Sequence, residues 1–223
     1  MKKDILIKLS ALALASSMLM SAASCGKKDS SSEHKHDNMV GNIDDNANAD
    51  AEDMPPAVVL LTEAISGVPL KMEYLDQNLS ESEAVAVAKY LYGISEKDGE
   101  MVKSVMYDGM ADYVVESGQS ENIQTFTENA YNYFRDMVGE DYEISYLISA
   151  MNYSGLDYVY YDNIVRNKEP EAEISGRKTV VLEAYYDTEN DSGILQNESD
   201  EFVYVIVYTI NGQSYVMENV SID

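Results

Sequence analysis

The chain has few of the side chains that most often carry reactive chemistry. Its 223 residues include one cysteine, Cys25, two histidines, His34 and His36, and no tryptophan. A lone cysteine cannot form a disulfide within the chain or supply a cysteine-ligated metal site, so a folded domain must be stabilised by an apolar core. Both histidines lie near the N-terminus. Ser-His-Asp and Cys-His catalytic sites and histidine-ligated zinc are therefore excluded from the remaining residues.

Basic residues are also scarce. The sequence has 15 Lys and Arg against 40 Asp and Glu, a formal charge of -25. Nucleic acid is excluded as a partner, because its phosphates must be neutralised by clustered Lys and Arg. This acidity is typical of a solvated secreted surface, and a cationic ligand or weakly held Ca2+ is the alternative. No glycine-rich phosphate loop of the P-loop or Rossmann type is present, and no cofactor is predicted.

The N-terminus has the layout of a secretory signal peptide. Lys2, Lys3 and Lys8 precede an uncharged run at residues 9–23, LSALALASSMLMSAA. A basic start followed by an apolar stretch that ends in small residues predicts a cleaved leader over residues 1–24. A membrane span is disfavoured, because the run is rich in small and hydroxyl residues and barely reaches the roughly 20 apolar residues that a span needs.

Cys25 follows Ala22-Ala23-Ser24, and this tetrapeptide resembles the bacterial lipobox. The resemblance implies a diacylglyceryl thioether on Cys25 and an acyl chain on its amine, which would anchor the protein at the outer face of the cell membrane. Many lipoboxes have Leu where this chain has Ala22. Cleavage after Ala23, leaving Cys25 as a free thiol, is the alternative. Loss of residues 1–24 leaves 12 basic and 39 acidic side chains, a formal charge of -27.

Residues 25–56 are predicted to be a disordered acidic tether. They contain few large apolar side chains and are rich in Ser, Asn, Asp and Ala, so they cannot bury enough surface to offset the entropy of ordering. A flexible coil of about 30 residues spans on the order of 30 Å. His34 and His36 lie beside acidic residues, and residues 44–50 alternate like the start of an EF-hand loop but lack its required glycine. No metal site is predicted from either pattern.

Residues 57–223 are predicted to form a single domain, with the clearest signals from residue 80. Residues 57–79 fit short helices and short strands about equally well. Ser80 and Glu83 have the spacing of a capping box, in which each side chain bonds the other's backbone amide. Apolar residues then recur at helical spacing. The predicted helices cover residues 81–95 and 99–116 and a third segment between a Ser120 cap and Gly139.

The hydrophobic period changes after the third helix. Residues 142–150 largely alternate and predict a strand with one buried face. A capping box at Ser154 predicts a short helix, and a polar loop containing Gly193 separates two β-rich segments. Asn211-Gly212 predicts a type I′ hairpin turn, because both residues tolerate positive φ. The later strands are predicted at residues 178–186, 201–210 and 214–222.

This order of elements predicts an α+β fold with N-terminal helices packed on a curved antiparallel sheet. From Ser80 to Asp223, the order and the closing turn Asn211-Gly212-Gln213-Ser214-Tyr215-Val216 resemble the nuclear-transport-factor-2-like (cystatin-like roll) superfamily, and in particular its small lipoproteins from Gram-positive bacteria. The resemblance implies a cone-like roll. Tyr215 occupies a position where many relatives have Trp.

Tyrosine is unusually abundant, with 18 Tyr against 3 Phe. A tyrosine ring buries apolar area while its hydroxyl needs water or a partner. These residues are expected at core edges and on half-exposed strands, or on a tyrosine-lined binding surface. Candidate liners of a cone cavity are Tyr146, Tyr186, Tyr204 and Tyr208, and packing at the core edge is the alternative for each of them.

The leading functional hypothesis is a non-enzymatic, membrane-anchored module that binds a ligand or protein partner through the cone mouth or the sheet face. The superfamily also includes enzymes that resemble ketosteroid isomerase. That resemblance implies the alternative, an isomerase or dehydratase that uses an Asp or Glu together with a Tyr in the cone cavity. A structural role in envelope assembly is the third hypothesis. No catalytic position can be assigned from the sequence.

Overall fold

A computed structural model describes residues 57–195 and 202–220. These residues form an α+β fold with an open, mostly antiparallel sheet, which confirms the α+β part of the predicted fold class. The helices in the described ranges are α1 (Glu63–Ser66), α2 (Glu81–Ser95), α3 (Gly99–Val105), α4 (Asp108–Glu116), α5 (Ile123–Val138) and α6 (Val159–Lys168). The strands are β1 (Val58–Leu61), β2 (Lys71–Leu75), β3 (Glu143–Tyr153), β4 (Ile174–Asp187), β5 (Ser192–Ile194), β6 (Val203–Ile210) and β7 (Gln213–Val220).

The predicted leader, residues 1–24, and the predicted tether, residues 25–56, lie outside the described residues, and so does Cys25. Both stay predictions. Within the described part of the chain, no helix has the length and apolar character needed to cross a bilayer.

The ambiguous segment at residues 57–79 contains both kinds of element. β1 and β2 pair antiparallel, and the single turn of α1 lies between them. β2 then pairs parallel with β3, which is possible because α2 to α5 connect the two strands. The sheet order is β1-β2-β3-β4-β6-β7, with β5 paired to β4. β5 lies in what the sequence predicted to be a polar loop, so that loop prediction was wrong in part.

The capping box at the start of α2 is confirmed. The Ser80 amide donates to Glu83 Oε2 at 2.8 Å, and the Glu83 amide donates to Ser80 Oγ at 3.4 Å. These bonds satisfy amide groups that the first helical turn leaves without partners. The helix ends at Ser95, as predicted.

The predicted single helix at residues 99–116 is wrong, because the chain forms α3 and α4 with a break between them. Met106 has extended φ/ψ values of -79° and 144°. Met106 forms a β-bridge to Val216 of β7, and the Tyr107 amide donates to the Val216 carbonyl at 3.1 Å. A tertiary contact with the last strand thus replaces the helical hydrogen bonds at this point, and the local apolar period gives no sign of it.

Two predicted helix starts also differ in detail. α5 is capped by Asn122, whose Oδ1 accepts from the Thr125 amide at 2.9 Å, instead of by Ser120. The α6 start does not use the predicted box at Ser154. Asp157 Oδ1 instead accepts from the Val159 amide at 3.0 Å. Asn and Asp compete well with Ser as caps, so sequence spacing alone did not separate them.

The hairpin turn between β6 and β7 is confirmed. Asn211 has φ of 51° and Gly212 has φ of 78°, as a type I′ turn requires. Tyr208 pairs with Tyr215 and Ile210 with Gln213 across the hairpin. The turn therefore fixes the register of the last two strands.

The sheet has two distinct faces. The inner face packs on α2: Lys178 of β4 bonds Glu83 of α2, and Tyr90 of α2 bonds Asn219 of β7. The outer face has two parts. α6 covers the part formed by β6, β7 and the start of β4, where Tyr208 and Arg177 bond Asp162 and Tyr161 bonds Glu218.

Candidate functional site

The second part of the outer face is formed by β1, β2, β3 and the end of β4. Pairing of these four strands places their outer side chains next to one another in two rows, and each row runs across the strands. We call this surface the outer tyrosine face. Its residues are Leu60, Glu73, Ile148 and Glu183 in one row and Lys71, Tyr146 and Tyr185 in the next.

This face is accessible, unlike the inner face of the same strands. Alternate residues of the strands are fully buried on the inner side, as in Leu61, Met72 and Leu147. The intervening outer residues are half-buried or exposed, and Leu60 is 46% exposed. One buried and one solvent-facing side is the expected pattern for a sheet that packs helices on one face.

Each carboxylate of the face is paired with a tyrosine. Tyr185 Oη donates to Glu183 Oε2 at 2.9 Å. The Tyr146 hydroxyl lies near the Glu73 carboxylate, and burial, followed by this neighbour, raises the pKa of Tyr146 well above its ordinary value. The phenol therefore stays protonated and remains a hydrogen-bond donor beside the carboxylate. An ionised carboxylate has further lone pairs, so each pair can still accept hydrogen bonds from a partner.

The four tyrosines predicted to line a cavity lie in different places. Tyr146 is on the outer tyrosine face, and half-buried Tyr186 packs near Tyr142 with ring centroids 6.4 Å apart. Tyr204 and Tyr208 share the outer side of β6. Tyr204 is 8% exposed and packs edge-on against Tyr153, and Tyr208 is fully buried. The four residues do not form one wall, and their role as cavity liners stays a prediction.

Fully buried Tyr208 belongs to a partly exposed ion-pair cluster under α6, in which the Arg177 and Asp162 side chains are 33% and 25% exposed. Arg177 binds Asp162 through both guanidinium branches, at 2.7 and 2.9 Å, and Tyr208 Oη donates to Asp162 Oδ1 at 2.9 Å. Burial alone would raise the pKa of Asp162, but the hydrogen bonds from Arg177 and Tyr208 outweigh it and lower the pKa. The cluster ties α6 to β4 and β6.

A second carboxylate under α6 is that of Glu218, which lies in a β-bulge of β7. Val216 pairs with Val207 and Asn219 with Val205, so Met217 and Glu218 lie opposite one residue of β6. A bulge of this kind redirects a side chain. Here it brings the Glu218 carboxylate to 2.5 Å from the hydroxyl of buried Tyr161.

The environment of Glu218 favours its protonated form. Desolvation raises the pKa of Glu218, and the hydrogen bond from Tyr161 offsets this only in part. Burial, followed by the charge of Glu218, raises the pKa of Tyr161 in turn. The sequence did not single out Glu218 among 40 acidic residues. The one usable signal was an acidic residue inside the predicted apolar strand at 214–222.

We expect the stability contribution of Glu218 to change sharply with pH. Because its pKa in the folded protein is raised, its favourable contribution is present below the unfolded-state pKa, about 4.3, and is lost as the pH rises through the folded-state pKa. Glu218→Gln removes this titration. The variant should therefore gain stability relative to the parent as the pH rises from about 4.3 through the folded-state pKa of Glu218. Urea unfolding at several pH values measures this difference.

Exposed Glu128→Gln is the matched control for that measurement. Its side chain is exposed, so loss of this charge should not reproduce the gain expected for Glu218→Gln. The nearby Tyr90, Tyr160 and Tyr161 have raised pKa values and do not titrate there. A Glu218→Gln difference that is constant with pH would contradict the assignment.

Two shallow surface depressions were identified in the described residues. One lies between α3, α4 and the start of α5, beside Lys103 and Asp112, and the other lies beside Pro170 and Asn211. Glu218 and the four predicted tyrosines line neither of them. Within the described ranges, no three His, Cys, Asp or Glu side chains are grouped so as to hold a metal ion.

Comparison with protein-family models, with curated proteins and with solved structures finds no match for this chain. The fold and site define it as an α+β protein with one helix-covered sheet face and one partly exposed, tyrosine-rich face. The likeness to the nuclear-transport-factor-2-like superfamily stays a prediction from element order and the closing turn.

Proposed function

We propose that this chain is a membrane-anchored lipoprotein whose domain is a non-enzymatic binding module outside the cell. The proposal is carried by the outer tyrosine face, a surface of tyrosines, carboxylates and exposed Leu60 on hydrogen-bonded strands. Tyrosine combines large contact area with few rotatable bonds and a polar end, which suits recognition. The sheet holds these side chains in fixed relative positions before a partner arrives.

The anchor in this proposal is lipidated Cys25, and residues 25–56 are its tether. A tether spanning on the order of 30 Å would hold the domain, residues 57–223, away from anionic headgroups. The formal charge of -27 after loss of the leader supports this separation, because like charges repel. The proposed location is the outer face of the cell membrane.

We also propose that the domain has the cone-like fold of the cystatin-like roll. Helices that precede a strand, a short helix and long antiparallel strands support this assignment. Register shifts in the β3–β4, β4–β6 and β6–β7 pairs also support it, because bulges bend the strands that contain them. β1 and β2 form an additional edge next to β3.

Fractionation of cells that express Cys25→Ala tests the anchor. The parent chain should be recovered with membranes, and the variant should be released into the medium, because several acyl chains hold a protein far more firmly than the tether alone. Membrane retention of the variant would contradict lipidation at Cys25.

The binding surface is tested in the same cells by thiol labelling. Leu60→Cys places a thiol on the outer tyrosine face, and Val115→Cys places one on α4, where the native side chain is 41% exposed. With Cys25 lipidated, a membrane-impermeant maleimide reacts with the introduced thiol alone. On the cell, Leu60→Cys should react several-fold more slowly than Val115→Cys. In released chains that carry Cys25→Ala, the two should react at similar rates.

The labelling result has a clear negative outcome. If both thiols react on cells at the same relative rate as in the released chains, the outer tyrosine face is not occupied. Slow labelling at both positions would indicate general shielding of the domain and would also contradict the proposed surface.

One observation favours the enzymatic alternative, an isomerase-like or dehydratase-like activity. Glu218 beside the Tyr161 hydroxyl is the type of acid and donor pair that proton transfer next to a carbonyl requires. This candidate predicts that the released chain exchanges the α-hydrogens of a β,γ-unsaturated ketone with solvent deuterium and that Glu218→Gln abolishes the exchange. Absence of exchange in the parent chain would leave Glu218 with the stability role described above.

A further inference from the structure

The outer tyrosine face alternates apolar and acidic side chains along one row. Leu60, Glu73, Ile148 and Glu183 come from neighbouring strands, in that order. Neighbouring strands lie about 4.8 Å apart, so the Cα atoms of Glu73 and Glu183 are roughly 10 Å apart, with Ile148 between them. Such a row is complementary to a segment that presents cationic and apolar side chains in turn.

The chain itself shows how such a carboxylate and phenol pair takes a cation. Under α6, Tyr208 donates to Asp162 while Arg177 binds the same carboxylate through two bonds. The Arg177 guanidinium carbon lies 6.0 Å from the centre of the Tyr208 ring. Arginine fits this arrangement because its planar fork matches a carboxylate and its flat surface favours an aromatic ring.

The outer tyrosine face repeats two parts of this arrangement. Tyr185 donates to Glu183, as Tyr208 does to Asp162, and the Tyr146 hydroxyl lies near Glu73. The third part, a cation bound to the carboxylate, is missing from this face in the part of the chain that the structure describes. None of the ion pairs found among the described residues includes Glu73 or Glu183. Lys71 is exposed in the second row and has no ion pair among those residues.

We propose that the partner of the outer tyrosine face is a protein segment that places Arg or Lys side chains on Glu73 and Glu183 and apolar side chains on Leu60 and Ile148. This inference rests on the proposed binding function and adds the chemistry of the partner. The acidic charge of the whole chain favours encounter with such a segment. Local contacts at the two carboxylates provide the specificity.

The test must separate local contacts from overall charge. Released chains carrying Cys25→Ala are titrated, at physiological ionic strength, against a fluorescein-labelled peptide with the repeat Arg-Ser-Val-Ser, which presents Arg and Val in turn on one face when it is extended. Glu73→Gln/Glu183→Gln should raise the Kd at least tenfold. The control, Glu116→Gln/Glu128→Gln, makes the same change in net charge at exposed helix positions and should change the Kd less than twofold. A peptide with Glu in place of Arg should not bind.

Several results would overturn the inference. Equal losses in the two double variants would mean that binding depends on net charge alone. Absence of saturable binding, or protection of Leu60→Cys by self-association of the released chain, would exclude a cationic segment as the partner. Leu60→Cys could label slowly on cells while Glu73→Gln/Glu183→Gln leaves the Kd unchanged. That combination would support the proposed binding function and contradict the proposed cationic partner.

Discussion

Replacing Lys178 with Met will lower the free energy of unfolding by about 2 to 3 kcal/mol. Lys178 Nζ lies 2.6 Å from Glu83 Oε2 and also donates to the Asn78 carbonyl at 2.9 Å. The Glu83 side chain is only 6% exposed. Loss of the cation leaves a buried carboxylate with hydrogen bonds from Ser80 as its main support. We place the loss below the usual range for buried pairs because the Lys178 side chain is 29% exposed.

Lys168→Met is the matched control for this measurement. Lys168 Nζ also lies 2.6 Å from a carboxylate, that of Asp112, but the two side chains are 43% and 53% exposed. Water stabilises both charges when the pair is lost, so the control should lose far less stability than Lys178→Met. Urea unfolding at neutral pH measures both variants. Equal losses would show that burial of Glu83 does not set the energy of its pair.

Replacing Tyr208 with Ala will cost about 3 to 5 kcal/mol, because it removes a fully buried aromatic ring and leaves a cavity. The ring packs against Tyr158 and Tyr161, with centroids 6.1 and 6.3 Å away, and the hydroxyl holds Asp162. Tyr208→Phe keeps the ring and should cost about 1 to 2 kcal/mol, the value of the hydroxyl bond. Thermal and urea unfolding measure both variants.

Tyr153→Ala is the control for the ring deletion. Tyr153 lies on the same side of the sheet, and its side chain is 37% exposed, so its loss creates no enclosed cavity. It should cost under about 1 kcal/mol. A small loss in Tyr208→Ala would contradict the packed position and would favour the open cavity that the sequence suggested for this residue.

The sequence correctly predicted the parts of the fold that are determined by interactions between residues close together in the chain. The Ser80 capping box, the end of α5 at Gly139 and the Asn211-Gly212 turn each depend on a few adjacent residues. The break at Met106 could not be predicted in this way, because it depends on a bridge to Val216, which is distant in the sequence.

The candidate site was harder to predict from the sequence than the fold. Tyr146 was a predicted cavity liner, but its neighbour Glu73 lies on a strand in the segment that the sequence left ambiguous. Tyr204 and Tyr208 were predicted to line the same cavity, but Tyr208 is buried under α6 and Tyr204 is buried beside Tyr153. Which tyrosine faces solvent depends on strand pairing and on which face a helix covers, and neither is encoded in the residues next to it.

The parallel pairing of β2 with β3 also has a consequence for how the chain folds. β1 and β2 come early in the chain, but their neighbour β3 follows four helices. A two-stranded hairpin by itself is at best marginally stable in water. We therefore expect this edge to become ordered late, after the helices bring β3 alongside, because closing so long a loop has an entropic cost that local contacts do not repay. The strand that carries Leu60 is thus expected to be among the last elements to reach its native state.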